Sequence, residues 1–195
     1  MKIGGLILAG GQGQRVNNQN KGLLLLKGKP LIEYVIKNLS NYVDYLAISA
    51  NKQLAKYQSY HLPIFADTAE FKGMGPLAGI MSASRYFPKE LDAIQVVPCD
   101  TPFLPRDLVP KLAKALFADN NIQLAYAATQ QCIHPSIFLF RPAINEHLAA
   151  HLNARKRSLK SWIYSHQCKE VLFTDEKAFT NINHLFTLAH FNEED

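Results

Sequence analysis

Apolar runs alternate along this chain with segments whose apolar residues recur at helical spacing. Such alternation predicts βαβ units, in which a mostly parallel sheet is covered by helices on both faces, a three-layer α/β fold. The predicted strands are Ile3–Leu8, Tyr45–Ala50, Ile94–Val97, Leu124–Ala128 and Ile137–Phe140. The predicted helices are Leu31–Leu39, Lys52–Gln58, Leu77–Tyr86, Leu108–Ala118, Ala143–His151, Leu159–His166 and Asn183–His190.

The length and composition of the chain are those of one globular domain. Its 195 residues, 48% hydrophobic and 19% charged, are enough to enclose a core, and we expect a single domain over residues 1–195. No apolar run approaches the length of a membrane span, and we expect neither a membrane protein nor a signal peptide. The three cysteines form no C-x-x-C pair, which indicates neither a disulfide framework nor a zinc site. We therefore expect a cytoplasmic enzyme.

The net charge of +5 raises the question of a nucleic-acid partner. The basic residues are mostly scattered, and the one dense cluster is Arg155-Lys156-Arg157 followed by Lys160. No RNP-like aromatic motif or zinc-finger spacing accompanies it, so we expect no nucleic acid. The cluster is either the solvated end of a helix or a site for a small polyanion. In the second case Arg157 and Lys160, three apart, would share a helix face if the helix begins there.

The glycine-rich segment after the first strand is the strongest indication of chemistry. Strand Ile3–Leu8 leads directly into Ala9-Gly10-Gly11-Gln12-Gly13-Gln14-Arg15, and Lys21 follows. Glycines let several backbone N–H groups approach one anion, while arginine and lysine side chains bind phosphate oxygens. The spacing fits neither a P-loop, because Gly22 follows Lys21, nor a dinucleotide fingerprint, because Val16 replaces its third glycine. The segment predicts a triphosphate cradle at a strand end, with a plain tight turn as the alternative.

A second segment places a carboxylate at the end of an apolar strand. In Val96-Val97-Pro98-Cys99-Asp100-Thr101-Pro102, the strand ends and Asp100 lies between two prolines that fix the loop. Mg²⁺ is commonly held by one or two carboxylates together with water and substrate phosphates. Asp100 is therefore a candidate Mg²⁺ ligand, and the alternative is a loop or helix-capping aspartate.

Two further strand ends carry polar residues. Asp67 follows the short apolar piece Pro63–Ala66, and Gly73 and Gly75 then lead to Pro76, which is placed to begin a helix. The N-terminus of that helix could face an anion or a base edge, but the segment taken alone favours purely structural glycines. Asn51 ends the predicted second strand, and its amide offers a donor and an acceptor for a purine edge or a ribose, or simply for a turn.

Taken in chain order, these strand ends resemble the molybdenum cofactor guanylyltransferase family. The motifs that carry the resemblance are Leu8-Ala9-Gly10-Gly11 with Arg15, Lys21-Gly22-Leu23, Asn51, Asp67, Gly75-Pro76-Leu77-Ala78-Gly79 and Pro98-Cys99-Asp100-Thr101-Pro102. They span residues 1–105, and the match continues thinly through His134-Pro135-Ser136 and Asn181-Ile182-Asn183. The glycine loop alone fits many nucleotidyltransferases, whereas the last two motifs are much more specific.

The resemblance implies a Rossmann-like nucleotidyltransferase fold and a set of site residues. The implied GTP-binding residues are Leu8, Ala9, Gly10, Gly11, Lys21, Asn51, Asp67 and Asp100, and Asp100 would also hold Mg²⁺. Arg15, Lys21 and Asp100 are the expected catalytic residues. The first half of the chain, residues 1–105, would mainly bind GTP, and residues 106–195 would mainly bind the acceptor. The candidates for acceptor binding are Arg157, Lys160, Asn181 and Asn183.

The expected reaction is transfer of GMP from GTP to the phosphate of molybdenum-bound molybdopterin, with release of pyrophosphate. The expected partners are GTP, molybdopterin and, transiently, molybdopterin-loading proteins and molybdoenzymes, with no nucleic acid and no membrane. Two alternatives stay open: transfer of another nucleotide, such as CMP to molybdopterin or a nucleotide to a sugar phosphate, and a nucleotide-binding chaperone or carrier that does not turn over.

The sequence departs from the family pattern in two places. The family usually reads Arg-Met-Gly-Gly-x-Asp-Lys where this chain has Arg15-Val16-Asn17-Asn18-Gln19-Asn20-Lys21. Asparagine can adopt left-handed backbone conformations, so the path of the loop can survive, but Asn20 lacks the carboxylate. The usual Asn-Thr-Pro-Glu-Asp-Leu becomes Asn183-His184-Leu185-Phe186-Thr187-Leu188, which weakens the comparison near the end of the chain.

Overall fold

A seven-stranded sheet forms the middle layer of the computed structural model, which describes residues 1–10, 20–182, 188 and 191. The strands are β1 (Ile3–Leu8), β2 (Leu25–Leu26), β3 (Lys29–Pro30), β4 (Tyr45–Ser49), β5 (Ile64–Phe65), β6 (Ala93–Pro98), β7 (Leu124–Ala128), β8 (Ile133–Phe140) and β9 (Cys168–Leu172). Their order in the large sheet is β5-β4-β1-β6-β8-β7-β9, and β2 pairs with β3 in a separate antiparallel ribbon.

The pairing of β1 with both of its neighbours aligns the carboxyl ends of the central strands. Both pairings are parallel, and Leu8 lies opposite Ser49 of β4 and Pro98 of β6. Strand β8 is antiparallel to β6 and to β7, so β7 runs in the same direction as β1, and β9 is parallel to β7. The expected mostly parallel sheet is therefore confirmed, with β8 as its reversed strand.

Helices cover the sheet on both faces. They are α1 (Leu31–Leu39), α2 (Leu54–Gln58), α3 (Pro76–Ser84), α4 (Leu108–Phe117), α5 (Asn145–Asn153) and α6 (Leu159–Ile163), with 3₁₀ turns at Lys21–Leu23, Pro142–Ile144 and Lys177–Phe179. Alternate residues of β1 divide the core, because Ile7 packs on the α1 and α4 side and Leu6 packs on the α3, α5 and α6 side. The three-layer prediction is confirmed.

Most predicted elements agree with the structure. Strands Ile3–Leu8 and Leu124–Ala128 and helix Leu31–Leu39 match at both ends, and most of the others begin or end a few residues away. Helix α3 begins at Pro76 as expected, since proline at the first helical position loses no hydrogen bond. No described helix is long and apolar enough to cross a membrane.

Three predictions need separate comment. Strand β9 was not predicted, because it is an edge strand whose side chains are mostly exposed and show little apolar alternation. The last predicted helix, Asn183–His190, lies outside the described residues apart from Leu188. The expectation that Arg157 and Lys160 share a helix face is wrong: Ser158 caps α6, its Oγ accepting from Ser161 N at 3.2 Å, so Arg157 precedes the helix.

The folded state should lose stability as the pH falls through the histidine range. Burial lowers the pKa of His134, His151 and His166 below the ordinary value of 6.5, so each binds its proton more weakly in the folded chain than in the unfolded one. Their contribution is complete above pH 6.5 and is lost as the pH falls towards the folded pKa values. Urea unfolding from about pH 7.5 to about pH 5.5 measures this loss.

A variant at His151 tests how much one of these histidines contributes to the loss of stability. His151→Gln should flatten the decline, because it removes a partly buried titrating ring whose Nε2 has no hydrogen-bond partner among the described residues. His61→Asn is the control, since His61 is an exposed turn residue with a positive φ of 54° that asparagine tolerates. A free energy of unfolding that rises as the pH falls would contradict the prediction.

Candidate active site

A cavity of about 630 Å³ opens at the edge of the sheet where β1, β4, β5 and β6 end. It lies where open α/β sheets generally bind their ligands. Its walls are drawn from strand ends, the loop before α3 and two segments of the second half of the chain. The lining residues are Leu8, Ala9, Gly10, Asn20, Lys21, Ser49, Asn51, Lys52, Asp67, Lys72, Gly73, Gly75, Pro76, Gly79, Pro98, Cys99, Asp100, Ser136 and Arg157.

An ion pair between Lys21 and Asp100 forms one wall of the cavity. Lys21 Nζ lies 3.2 Å from Asp100 Oδ2, and the two side chains are 26% and 8% exposed. The backbone holds the carboxylate in place: Cys99 N donates to Leu8 O at 3.0 Å, and Ile182 N donates to Asp100 O at 2.8 Å. A mostly buried carboxylate is therefore fixed at the strand end, with its charge balanced by the ammonium.

A second polar pair, Asn51 and Asp67, lies on the other side of the β1 end. Asn51 Oδ1 accepts from Asp67 N at 2.8 Å, which ties the end of β4 to the end of β5. Burial raises the pKa of Asp67, while hydrogen bonds from Asn51 and Gly73 and the charge of Lys72 partly oppose the rise. Backbone and side-chain groups thus stabilise a carboxylate that has lost part of its hydration.

Gly10 allows the chain to pass close to this pair. A Cβ at position 10 would lie 3.0 Å from Asn51 Nδ2, which is tighter than ordinary side-chain contacts. The preceding residue is held to β4 because Ala9 N donates to Ser49 O at 2.7 Å. The glycine therefore keeps the backbone within reach of a ligand between β1 and β4.

The N-terminus of α3 also lines the cavity. Gly75 precedes the helix with a φ of 83°, a conformation that glycine adopts readily, and Pro76 occupies the first helical position. The unpaired N–H groups at such an end favour anions and acceptor atoms. Arg157 approaches this loop from the second half of the chain, and a Cβ on Gly75 would lie 4.0 Å from Arg157 O.

The structure brings most of the predicted site residues together. Those that line the cavity are Leu8, Ala9, Gly10, Lys21, Asn51, Asp67, Asp100 and Arg157. Lys160 lies on α6 with Nζ 6.0 Å from the centre of the Tyr164 ring, and Asn181 is an exposed residue beside Ile182. The remaining predicted residues, Gly11, Arg15 and Asn183, lie outside the described residues.

Several lining residues were not predicted as functional. Lys52 and Lys72 add positive charge, and each directly follows or precedes a residue that the motifs singled out. Ser49 is a small polar residue whose local sequence shows nothing unusual. Ser136 belongs to the His134-Pro135-Ser136 motif, which pointed to this position only through the family resemblance.

Replacement of Gly79 should damage the cavity in a way that a second substitution repairs. A Cβ on Gly79 would collide with Ser49 Oγ, whereas Ser49 Cβ and Asp67 Oδ1 lie at acceptable distances of 3.4 and 3.7 Å. Gly79→Ala should therefore cost about 1–3 kcal/mol of unfolding free energy by overpacking. Adding Ser49→Ala should restore most of that loss in urea unfolding. A double variant as unstable as Gly79→Ala would show that the contact with Ser49 Oγ is not the cause of the lost stability.

Comparisons with known proteins agree with the geometry. The chain matches the MobA-like NTP transferase domain over residues 5–171. The molybdenum cofactor guanylyltransferase of Cupriavidus pinatubonensis is 38% identical over 189 residues, which cover 94% of this chain and 92% of that protein. The protein of the same name from Burkholderia lata is 40% identical over 197 residues, covering 96% and 94%.

Solved structures share the fold. Molybdopterin-guanine dinucleotide biosynthesis protein A from Archaeoglobus fulgidus superposes with a TM-score of 0.78 at 21% identity, covering 97% of each chain. A CMP:2-keto-3-deoxy-manno-octonic acid synthetase complexed with CTP superposes with a TM-score of 0.76 at 12% identity, covering 98% of this chain and 97% of the other. With its Rossmann-like sheet and strand-end cavity, the chain belongs to the MobA-like NTP transferase family.

Proposed function

We propose that this protein is a molybdenum cofactor guanylyltransferase, which transfers GMP from GTP to the phosphate of molybdenum-bound molybdopterin and releases pyrophosphate. The observation that carries the proposal is the Lys21–Asp100 pair in the wall of a cavity that also contains Asn51 and Asp67. Relatives of this name match nearly the whole chain at 36–40% identity, which supports the same activity here.

The proposed reaction requires alignment more than covalent chemistry. An oxygen of the acceptor phosphate attacks the α-phosphorus of GTP, the new P–O bond forms in line, and the bond to the β-phosphate oxygen breaks. No enzyme nucleophile takes part, because the acceptor phosphate is itself the nucleophile. The protein holds the two substrates together and neutralises the charge on the leaving pyrophosphate.

The two ends of the cavity suit the two ends of GTP. Lys21, and Arg15 as a further expected cation, would bind phosphate oxygens near the carboxyl end of β1. Asn51 and Asp67 would face the guanosine, where a carboxylate and an amide can accept from and donate to the purine edge or the ribose. The hydrogen bond between Asp67 N and Asn51 Oδ1 preorganises this end before the nucleotide binds.

The donor set fits a Mg²⁺ ion that is held jointly with the nucleotide. Among the described residues, no group of three or more His, Cys, Asp or Glu side chains could hold a metal. Asp100, however, offers a fixed carboxylate in the cavity wall, and Mg²⁺ is commonly bound by one or two carboxylates together with substrate phosphates and water. When bound there, the ion would neutralise phosphate charge and polarise the phosphoryl oxygens.

The second half of the chain would contribute the acceptor site. Arg157 and Ser136 lie on the cavity wall, which supports an acceptor site built by residues beyond 105. Asn181 and Asn183 are the expected contacts of the pterin, and we expect transient contacts with molybdopterin-loading proteins and molybdoenzymes. We place the enzyme in the cytoplasm, which agrees with three cysteines that form no disulfide.

One experiment separates this proposal from its alternatives. The pure protein is incubated with Mg²⁺, molybdopterin and GTP, CTP or ATP in turn, and pyrophosphate and the dinucleotide product are measured. Guanylyl transfer predicts release with GTP alone. Preferential release with CTP would instead establish a cytidylyltransferase. Tight nucleotide binding with no release from any mixture would indicate either a different acceptor, such as a sugar phosphate, or a chaperone or carrier.

Removing the Asp100 charge should abolish most of the Mg²⁺-dependent turnover. Asp100→Asn keeps the side-chain shape but loses the anionic ligand, and stabilisation by a bound metal is worth several kcal/mol, so kcat should fall at least roughly a hundredfold. Asp107→Asn is the matched control, because Asp107 is an exposed aspartate paired with Lys111 at 2.8 Å. Full activity of Asp100→Asn at ordinary Mg²⁺ concentrations would refute the assignment.

Charge reversal at Arg157 should weaken the acceptor and spare the nucleotide. Arg157→Glu is expected to raise the half-saturating concentration of molybdopterin, because it places a carboxylate where an anionic substrate binds. The effect should shrink at high salt. Lys160→Glu, three residues away and directed at Tyr164, should have the smaller effect. If the two variants behave alike, or if Arg157→Glu loses GTP instead, the acceptor site lies elsewhere.

A further inference from the structure

Tyr57 is a polar side chain that lies wholly inside the core. It belongs to α2, it is 0% exposed, and its ring packs in the cluster formed with α1 and α4. Its hydroxyl donates to Asn20 Oδ1 at 2.6 Å. Burial raises the pKa of Tyr57, so the hydroxyl keeps its proton and remains a donor. A core position does not require this hydroxyl, and its partner lines the active-site cavity.

The acceptor, Asn20, lies directly before the cavity lysine. Residues Lys21–Leu23 form a single 3₁₀ turn, closed by Leu23 N donating to Asn20 O at 3.0 Å. The hydrogen bond from Tyr57 therefore anchors the first residue of the turn that carries Lys21. Without this bond, Asn20 could change rotamer and the turn could move relative to Asp100.

The same hydroxyl also packs against the backbone of this turn at Gly22. A Cβ on Gly22 would lie 2.9 Å from Tyr57 Oη and 3.1 Å from Cys99 Sγ, so the backbone at Gly22 rests directly on these two atoms. Tyr57 thus contacts the turn on both sides of Lys21, once by a hydrogen bond and once by packing. Cys99 directly precedes Asp100, so the turn that carries Lys21 packs against the segment that carries Asp100.

We propose that Tyr57 is a positioning residue for phosphate binding, which sets the place of Lys21 opposite the triphosphate and Asp100 through its contacts with Asn20 and Gly22. This inference rests on the proposed function for the identity of the triphosphate. It also accounts for the family departure at position 20. Tyr57 requires only an acceptor oxygen there, and the asparagine amide supplies one as a carboxylate would.

The test compares Tyr57→Phe with Tyr60→Phe by titrating each with GTP and with guanosine. Tyr60 is the matched control, because it lies three residues further on and its hydroxyl donates to Glu33 Oε1 at 3.4 Å, away from the cavity. Loss of one hydrogen bond predicts a roughly three- to tenfold weaker affinity of Tyr57→Phe for GTP. Guanosine, which lacks the phosphates, should bind as in the parent, and Tyr60→Phe should bind both normally.

Further variants at positions 20 and 21 test whether Tyr57 acts through Asn20 and Lys21. Adding Lys21→Ala to Tyr57→Phe should weaken GTP binding little more than Lys21→Ala alone, because both changes act through the same ammonium. Asn20→Leu, which removes the acceptor at similar size, should reproduce the loss seen in Tyr57→Phe. Asn20→Asp keeps an acceptor and should lose less than Asn20→Leu.

The outcomes separate the positioning role from a structural role and from the proposed function. Equal losses for GTP and guanosine, or additive effects of Tyr57→Phe and Lys21→Ala, would overturn the inference. If Tyr57→Phe unfolds at the assay temperature, the Asn20→Leu and Asn20→Asp pair decides the question alone. If the parent protein prefers CTP, the proposed function fails, and the same titrations with CTP and cytidine still test Tyr57.

Discussion

The site depends on the parallel register of β1 between β4 and β6. Because Leu8 is paired with Ser49 and with Pro98, strands β1, β4 and β6 end at the same level of the sheet. Residues far apart in sequence therefore enter the same cavity. A slip of one residue would turn Leu6 and Ile7 towards the wrong layers, so the two buried faces of β1 enforce the register. The hydrophobic core thus determines where the residues that line the cavity meet.

The cavity that results carries more positive than negative charge. Each of its two carboxylates, Asp67 and Asp100, has a lysine nearby, and Arg157 adds a further cation. Burying a carboxylate is costly unless a partner compensates, and the Lys21–Asp100 pair meets that requirement in the free protein. The same ammonium is the group that a triphosphate would attract. Charge compensation in the free protein and the proposed phosphate binding would therefore use the same side chain.

Local sequence pattern predicted the site residues that follow a strand end. It did not predict how contacts between distant parts of the chain position the other residues. Asn51, Asp67 and Asp100 follow apolar runs, so local pattern was enough to place them at one edge. Arg157 was selected as part of a basic cluster, and it reaches the cavity from the loop before α6 rather than from a helix face. Tyr57 reads as an ordinary core residue of a helix, and only the tertiary structure shows that its hydroxyl meets Asn20.

The first and last parts of the chain are joined at Asp100. Ile182 N donates to Asp100 O, and the Ile182 side chain is buried in a small cluster with Leu24, Leu26 and Leu31. Leu24 ends the turn that carries Lys21, so this cluster packs the late segment of the chain against the Lys21 side of the cavity. The proposed nucleotide-binding and acceptor-binding halves therefore share packing contacts and need not be separate folding units. Since Asp100 is held by backbone from both halves, a disturbance of the late segment would reach the proposed metal ligand directly, even though no residue of that segment needs to touch the nucleotide.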